Sequence, residues 1–331
     1  MTIHRHITDS SAGSFEVFDI DLGDTRVQLL SLGAAIRTVE VPDGHGLLGH
    51  VHLSLPQLSD YADVSSNPHL GATLGRYANR IAGATFVLDG QRFRLNANSQ
   101  GNTLHGGAHG FDRQIWDCTV LADNADRAVV EFCLHSPDSD MGFPGAVDAS
   151  VTYAITHQEI TMTYDAVTDK PTVINLSHHG YWNLAGSQSI AGHHLHIPAQ
   201  RRLVTNDIGI PVAIDDVAET VFDLRSPQTL GPVIDATEGV DSCYLVDGEG
   251  MRLMAVLSAP AAGRTLTVSS DAPTVQLYTG NGLHSPFVPF QSVSLETQRP
   301  PDAPNQPELG ESILRPGEAF HSVTTLTFGV C

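Results

Sequence analysis

Apolar and polar residues alternate with a period of two along much of this 331-residue chain, and this alternation constrains the fold more than any other feature. In Val147–Ile155 every odd-numbered position is apolar, and every even-numbered position is polar or small. The segment Ile160–Ala166 repeats the pattern after a short polar break. Because successive side chains of a strand point to opposite faces, the two segments predict an antiparallel pair with one buried face.

A second hairpin is predicted between Phe86 and Leu95. Its centre is Asp89-Gly90, a pair favoured in two-residue turns because both residues tolerate a positive φ. Leu55–Val64 is the one predicted helix, with Pro56 near its first turn, and the proline-rich stretch Arg299–Pro307 is predicted to be an ordered surface loop. Further predicted strands are Arg26–Ser31, Val129–His135, Leu266–Ser270, Thr274–Thr279, Ser292–Thr297 and Val323–Phe328.

Many short strands separated by Gly, Asn, Asp and Pro predict an all-β protein. No shift in composition, flexible linker or internal repeat divides the chain. We therefore expect residues 1–331 to form a single domain, a large antiparallel β-sandwich.

The charge balance argues against several classes of partner. The chain has 37 acidic and 17 basic residues, a formal net charge of −20, and no basic cluster that would bind nucleic acid or an anionic membrane. No apolar run approaches the roughly 20 residues of a membrane span, and the first residues lack the apolar core of a secretory signal. We expect a cytoplasmic protein. The cysteines lack redox or metal spacing and are expected to be reduced thiols: Cys118, Cys133, Cys243 and Cys331.

Strand parity selects polar residues that face away from the core. In Ser292–Thr297, Glu296 lies on the face opposite Val293 and Leu295. The same rule places Gln276 with Tyr278 on one face of the neighbouring predicted strand. A polar sheet face of this kind is suited to a carbohydrate, which needs planar hydrogen-bonding side chains. Taken singly, each residue is more often an ordinary solvated surface residue.

Histidine-rich segments add a second signal. His105 precedes two glycines, which allow the backbone to approach a ligand closely. The segment Asn175–Leu184 contains His178, His179 and two aromatic residues, a polar density that is atypical of a core strand. Any one of these histidines taken alone is more often structural than catalytic.

A third histidine cluster does not predict a metal site. His194 and His196 would share one face of a strand next to His193, but no further ligand follows at a typical spacing. An exposed strand is the preferred interpretation. Motifs for phosphate or dinucleotide binding and for a nucleophilic serine are absent from the sequence, so we expect neither a metal nor another cofactor.

Several motifs follow one another in a fixed order along nearly the full chain. They are Gly75–Ile81, Asn102–Gly107 with Gly110–Asp112, His178–Leu184, Val240–Tyr244, Val275–Asn281, Leu295–Gln298 and Asn305–Pro307. This series resembles the aldose 1-epimerases, also called galactose mutarotases. The resemblance implies a β-supersandwich, an open cleft that binds a free monosaccharide, and chemistry without a cofactor.

The resemblance also implies roles for individual residues. Glu296 would be the general base that takes a proton from the C1 hydroxyl, and His179 the general acid that protonates the ring oxygen. His105 and Arg80 would position the sugar and stabilise charge. Asn79, Asp241 and Gln276 would bind its hydroxyls. Two further substrate-binding residues depart from the family pattern: His178 stands where Asn is common, and Trp182 where Phe is usual.

We therefore expect an aldose 1-epimerase acting on free hexoses such as galactose and glucose. One alternative keeps the fold but changes the substrate to another monosaccharide or a sugar phosphate, which would need two or three cations. A second is a non-catalytic sugar-binding protein, which has no need of an acid and a base. A third is a glycoside hydrolase with Asp241 and Glu296 as carboxylates about 5–10 Å apart. The preferred sugar stays open, as does the choice between a monomer and a homodimer.

Overall fold

A computed structural model describes residues 2–331, and strands account for about 47% of it against 8% for helices. The first five strands form one antiparallel sheet in chain order. They are β1 (Ile3–Ser10), β2 (Gly13–Asp21), β3 (Arg26–Leu30), β4 (Ala35–Pro42) and β5 (Leu48–His50).

Five short strands follow, and each belongs to a two-stranded sheet. They are β6 (Thr73–Leu74), β7 (Arg80–Ile81), β8 (Thr85–Leu88), β9 (Gln91–Arg94) and β10 (Thr103–Leu104). In these pairs β7 joins β10 and β8 joins β9.

The remaining strands belong mostly to the two largest sheets. They are β11 (Asp117–Asp123), β12 (Ala128–Ser136), β13 (Val147–Ile155), β14 (Glu159–Thr168), β15 (Thr172–Val173), β16 (Ser177–His178), β17 (Tyr181–Trp182), β18 (His194–His196), β19 (Arg201–Thr205), β20 (Pro211–Asp216), β21 (Gln228–Thr229), β22 (Asp241–Leu245), β23 (Arg252–Ala259), β24 (Arg264–Ser270), β25 (Thr274–Tyr278), β26 (Val293–Gln298), β27 (Ile313–Leu314) and β28 (Phe320–Val330). The nine-stranded sheet has the order β11-β12-β13-β14-β28-β24-β23-β18-β21, and the six-stranded sheet β17-β26-β25-β22-β19-β20. Outside them, β15 pairs with β27 and β16 with β6.

The large sheets share one hydrophobic core. Tyr153 and Met162 enter it from the nine-stranded sheet, and Val275, Leu277 and Leu295 from the six-stranded sheet. The pairings between these strands are antiparallel, so the predicted antiparallel β-sandwich is confirmed. The other face of the six-stranded sheet points away from this core and is free to carry polar groups.

The predicted hairpins are confirmed. β13 pairs with β14 in the register Ile155↔Ile160, and β8 pairs with β9 across a turn in which Asp89 and Gly90 have φ values of 50° and 79°. The other six predicted strands are also present, with ends that differ from the prediction by three residues at most. Strand β18 is present as predicted, but its two outer histidines are half-buried and His193 is buried.

The helix prediction was wrong. Only Leu58–Ala62 is helical in the predicted region, and it is a 3₁₀ turn. The α-helix of the described chain is α1, Leu230–Thr237, which the sequence analysis missed. Gly231 and Pro232 are atypical of a helix, so the residue pattern did not predict one here. Proline is nevertheless tolerated in a first turn, because the N–H that it lacks would have no partner there. Four further 3₁₀ turns are Ala82–Ala84, Phe111–Arg113, Asp140–Gly142 and Pro307–Leu309.

The proline-rich stretch is only partly a surface loop. Pro300, Pro301, Asp302 and Ala303 are buried, and exposure begins at Asn305. The prediction failed because proline content indicates where regular structure stops but does not indicate whether the segment packs against the core. The four cysteines are free, as expected. Among residues 2–331 no helix has the length and apolarity that crossing a membrane requires.

A buried arginine fixes the loop that precedes β13. The Arg76 guanidinium is 2% exposed and donates through Nη1 to the carbonyl oxygens of Pro144 (2.9 Å) and Gly145 (2.8 Å), and through Nη2 to Ser136 Oγ (2.6 Å). Burial lowers its pKa to about 10, and nearby aspartates oppose that effect. The side chain therefore joins the 75–81 segment to the nine-stranded sheet.

We predict that Arg76→Met lowers the free energy of unfolding by about 3 kcal/mol, because several buried carbonyl groups lose their donor. Urea denaturation measures the change. Arg127→Met, at an exposed position, is the control and is expected to leave stability nearly unchanged. An equal effect of both variants would contradict the role assigned to Arg76.

Candidate active site

Three neighbouring strands bring a carboxylate, an amide and a second carboxylate to one face of the six-stranded sheet. Glu296 on β26 lies directly opposite Gln276 on β25. On β22, Asp241 lies opposite Tyr278, and Gln276 Nε2 donates to Asp241 Oδ1 at 2.5 Å. Leu277 and Leu295 point into the core. The parity prediction for this face is therefore confirmed.

His179 lies against Glu296. It follows β16, where its N–H donates to the carbonyl of Ala72 (2.9 Å), and its Nε2 lies 3.6 Å from Glu296 Oε1. On its other side Nδ1 is 3.3 Å from Ser294 Oγ, and the ring stacks on Tyr181 with centroids 4.8 Å apart. The imidazole is therefore held on both sides and directed at the carboxylate.

The small β7–β10 pair brings Arg80 and His105 to the same place. Arg80 pairs with Leu104, and Arg80 Nη1 lies 3.8 Å from Asp241 Oδ2. The Asn79 N–H donates to His105 Nδ1 at 3.1 Å, and the His105 ring lies 5.3 Å from that of His179. We call Glu296, His179, His105, Arg80, Asp241 and Gln276 the central cluster; Asn79 borders it.

A glycine makes this close approach feasible. Gly106 has a φ of +85°, and a Cβ there would lie 2.0 Å from the carbonyl oxygen of Gly75. Only glycine avoids that collision and accepts the left-handed backbone. The Gly-Gly pair after His105 thus lets the histidine loop pack on the segment that carries Asn79 and Arg80.

Glu296 is an unusual carboxyl group. Its residue is 2% exposed, and burial raises its pKa well above the ordinary value, an effect that Asp241 strengthens and Arg80 opposes. Its Oε2 and the Oε1 of Gln276 are buried and accept no hydrogen bond from residues 2–331. Buried acceptors are normally paired, so these two oxygens mark where the hydroxyl of a ligand would donate. Asp241 and Arg80 are partly exposed and lie towards solvent.

Burial favours the neutral form of the two central histidines. Burial, followed by the nearby His69, lowers the pKa of both His105 and His179 well below the ordinary value. Because the Asn79 N–H donates to His105 Nδ1, the neutral ring carries its proton on Nε2. His105 is therefore fixed as a hydrogen-bond donor.

That tautomer does not suit a metal ion. His105, His179 and Glu296 offer ligand atoms that all lie within 4.8 Å of one another. Binding a metal through His105 Nε2 would require a proton on Nδ1, which faces the Asn79 N–H. The N–H groups of Asn79 and of His105 Nδ1 would then face each other without an acceptor between them.

Two of the residues assigned to substrate binding are not brought to the central cluster. His178 lies 6.3 Å from His52 and 6.4 Å from Trp182, measured between ring centroids, and Trp182 packs on Phe328 in the core. Ring contacts explain this correction. The His179 ring stacks on Tyr181, whereas the rings of His178 and Trp182 both lie beside His52. Burial lowers the pKa of His178 to about 3.

Sequence analysis missed a third imidazole next to the cluster. The His69 ring lies 4.7 Å from that of His105 and is stacked 6.0 Å from that of His179. Its Nδ1 is 2.7 Å from Asp112 Oδ2, which Arg113 Nε also contacts at 2.8 Å. The side chain is 23% exposed, more than either neighbouring histidine. The available signal was its position, two residues before Gly71 and just upstream of the Gly75–Ile81 motif.

Asp302 was also missed, and it holds Arg80 in place. Its N–H donates to the carbonyl of Arg80 at 2.8 Å, and its carboxylate accepts from the Ala82 N–H at 2.9 Å. Asn305 and Gln306 donate to the same carboxylate. The Asn305–Pro307 motif thus supports the strand that carries Arg80.

Comparisons with known proteins all point to one family. The family model described as aldose 1-epimerase matches residues 17–327. The chain is 36% identical to galactose mutarotase of Homo sapiens, over 97% of this chain and 96% of that protein. It is 35% identical to aldose 1-epimerase of Escherichia coli, over 91% of each.

Solved structures share the fold. The galactose 1-epimerase of Lactobacillus acidophilus superposes with a TM-score of 0.87 at 23% identity, and the aldose epimerase homologue of C. elegans with the same score at 24% identity. Each comparison covers 99% of both chains. At this identity the structural likeness establishes the sandwich architecture.

We predict opposite shifts in the pKa of Glu296 when its two charged neighbours are removed. Asp241→Asn takes away a negative charge and lowers that pKa, whereas Arg80→Met takes away a positive charge and raises it. Selective ¹³C labelling of glutamate carboxyls, titrated by NMR in the free protein, measures both. The resonance is assigned by its loss in Glu296→Gln. A shift of the same sign in both variants would refute the electrostatic account.

We also predict that His69→Phe raises the pKa of His179 and of His105, because the imidazole of His69 beside them opposes a charge on either ring. Histidine ¹³C–¹H NMR titration follows the two rings. His45→Phe, in an exposed turn, is the control and leaves both values unchanged. Unaltered titration in the His69 variant would show that burial alone sets these values.

Proposed function

The chain belongs to the aldose 1-epimerase family, and from that premise we propose that it interconverts the α and β anomers of free hexoses, with galactose and glucose as first substrates. The observation that carries the proposal is the 3.6 Å separation of Glu296 Oε1 and His179 Nε2. Mutarotation exchanges protons at two oxygens bonded to the same carbon. A base and an acid that serve them must be immediate neighbours, as these two groups are.

In the proposed mechanism, Glu296 accepts the proton of the C1 hydroxyl while protonated His179 gives a proton to the ring oxygen. The bond between C1 and the ring oxygen breaks, its electron pair stays on that oxygen, and a C1 carbonyl forms. Rotation about C1–C2 presents the other carbonyl face. Ring closure returns one proton to His179 and one to O1, so neither group is consumed.

The two groups act as a coupled pair that shares one proton. Burial favours the neutral acid and the neutral imidazole, because it raises the pKa of Glu296 and lowers that of His179. The reactive form needs the proton on His179 and the charge on Glu296. Arg80 favours that form, since its positive charge opposes the rise in the pKa of Glu296.

The other residues of the cluster would bind the sugar. His105, fixed as a donor at Nε2, would stabilise negative charge developing on the ring oxygen. Asp241 and the unpaired Gln276 Oε1 would accept hydrogen bonds from sugar hydroxyls, and Arg80 and Asn79 would donate. His69, at the more exposed side of the histidine cluster, would contact the hydroxyls remote from C1.

The charges of the cluster favour a neutral sugar over a sugar phosphate. A phosphate group would have to approach Arg80, which already lies 3.8 Å from the carboxylate of Asp241. Glu296 lies buried behind the same region. Like charges in this space disfavour a dianion.

We predict that the protein accelerates the change in optical rotation of freshly dissolved α-D-galactose and α-D-glucose without altering the final rotation. Polarimetry measures both rates. Glu296→Gln should lower the catalysed rate by about 10²–10⁴-fold while keeping the fold, because it removes the base and preserves the shape of the side chain.

Glu249→Gln, at an exposed loop position, is the matched control and should retain full activity. Full activity in Glu296→Gln would refute the mechanism. No acceleration with either sugar, followed by none with a panel of pentoses and deoxy sugars, would refute the proposed activity and favour a binding role.

A further inference from the structure

The edge of the first sheet carries a histidine–carboxylate cluster remote in sequence from the central cluster. His4 on β1 lies opposite Asp19 on β2, and His6 follows two residues later on the same strand face. The Nδ1 atoms of His4 and His6 lie 3.6 and 3.3 Å from the same oxygen, Asp19 Oδ2. We propose that His4, His6 and Asp19 form a binding site for a divalent transition-metal ion of the Zn²⁺ class.

The spacing of the ligand atoms is the first argument. Zinc binds imidazole nitrogen and carboxylate oxygen at about 2.0–2.2 Å, so in a tetrahedral site these atoms lie about 3.3–3.5 Å apart. The two nitrogen–oxygen distances match this edge length, and all three ligand atoms lie within 4.8 Å of one another. Three protein ligands with an open fourth position would leave room for water.

The support behind the carboxylate is the second argument. Gln28 Nε2 donates to Asp19 Oδ1, and Arg37 Nη1 donates to Gln28 Oε1 at 2.7 Å. This chain of donors occupies one oxygen of Asp19 and leaves Oδ2 facing the histidines. Hydrogen bonds of this kind orient metal ligands and raise affinity.

The state of the histidines is the third argument. His6 Nδ1 is shielded from solvent and has no hydrogen-bond partner in the described chain. Two other exposed histidines, His135 and His321, each pair with a single aspartate at hydrogen-bond distance, 2.6 and 2.8 Å. At His4 and His6, two imidazoles share one carboxylate oxygen at distances too long for good hydrogen bonds. An ion between them would satisfy all three groups and join β1 to β2.

The test uses tag-free protein with Co²⁺ as a spectroscopic probe and Zn²⁺ as competitor. We expect one Co²⁺ per chain with the visible absorption of a nitrogen–oxygen site, displaced by Zn²⁺. His6→Gln should weaken binding by at least about 10-fold. Gln28→Leu, which keeps all three ligands, should weaken it by about 10–100-fold, as removal of a group that orients a ligand does.

His135→Gln is the matched control, because it removes an exposed histidine paired with one aspartate and should leave binding unchanged. Zn²⁺ should raise the melting temperature of the wild type and of His135→Gln, but not that of His6→Gln. Equal Co²⁺ affinity in the wild type and His6→Gln would overturn the proposal. So would a Gln28→Leu variant that binds as tightly as the wild type, since the site would then lack its support.

Discussion

The pairing of β25 with β26 is the constraint on which the rest of the structure depends. Its register places Gln276 opposite Glu296 and, in the same step, places Leu277 opposite Leu295. A slip by one residue would bury the carboxylate among apolar side chains and expose the leucines. The hydrophobic core beneath the six-stranded sheet therefore fixes the position of the reactive groups above it. Packing energy and site geometry are set by a single choice of register.

The site concentrates groups that would be unfavourable elsewhere. Glu296 is buried with one oxygen unpaired, and the neutral His179 and His105 lie beside it. Buried groups of this kind reduce stability unless a partner satisfies them. In the proposed mechanism the missing partner is a hydroxyl of the sugar, so binding would recover this cost to folding. Asp241 raises the pKa of Glu296 and Arg80 lowers it, so the proton affinity of this carboxyl group depends on the balance between its two charged neighbours.

Strained backbone positions cluster around the same groups. Asn79, His105 and His69 have φ values of 65°, 50° and 61°, a region that residues other than glycine seldom adopt. Such strain persists where the surroundings over-determine the conformation. Here the surroundings are the Asp302 carboxylate behind Arg80, the Gly75–Gly106 contact and the Asp112 carboxylate that holds His69. These contacts hold the loops of the small sheets against the central cluster.

The sequence by itself determined the fold class and much of the central cluster. Alternation of period two identified the strands, and parity placed Gln276 and Glu296 on one polar face, because side-chain direction in a strand depends only on position. The assignment of His178 and Trp182 to the site rested on the resemblance, and the structure places both rings beside His52. Only the tertiary structure brought in His69 and Asp302, buried the proline-rich stretch and revealed the helix at Leu230–Thr237. The helix was missed because Gly231 and Pro232 are atypical of helices, whereas the other features depend on contacts between segments far apart in the chain, about which local patterns carry no information.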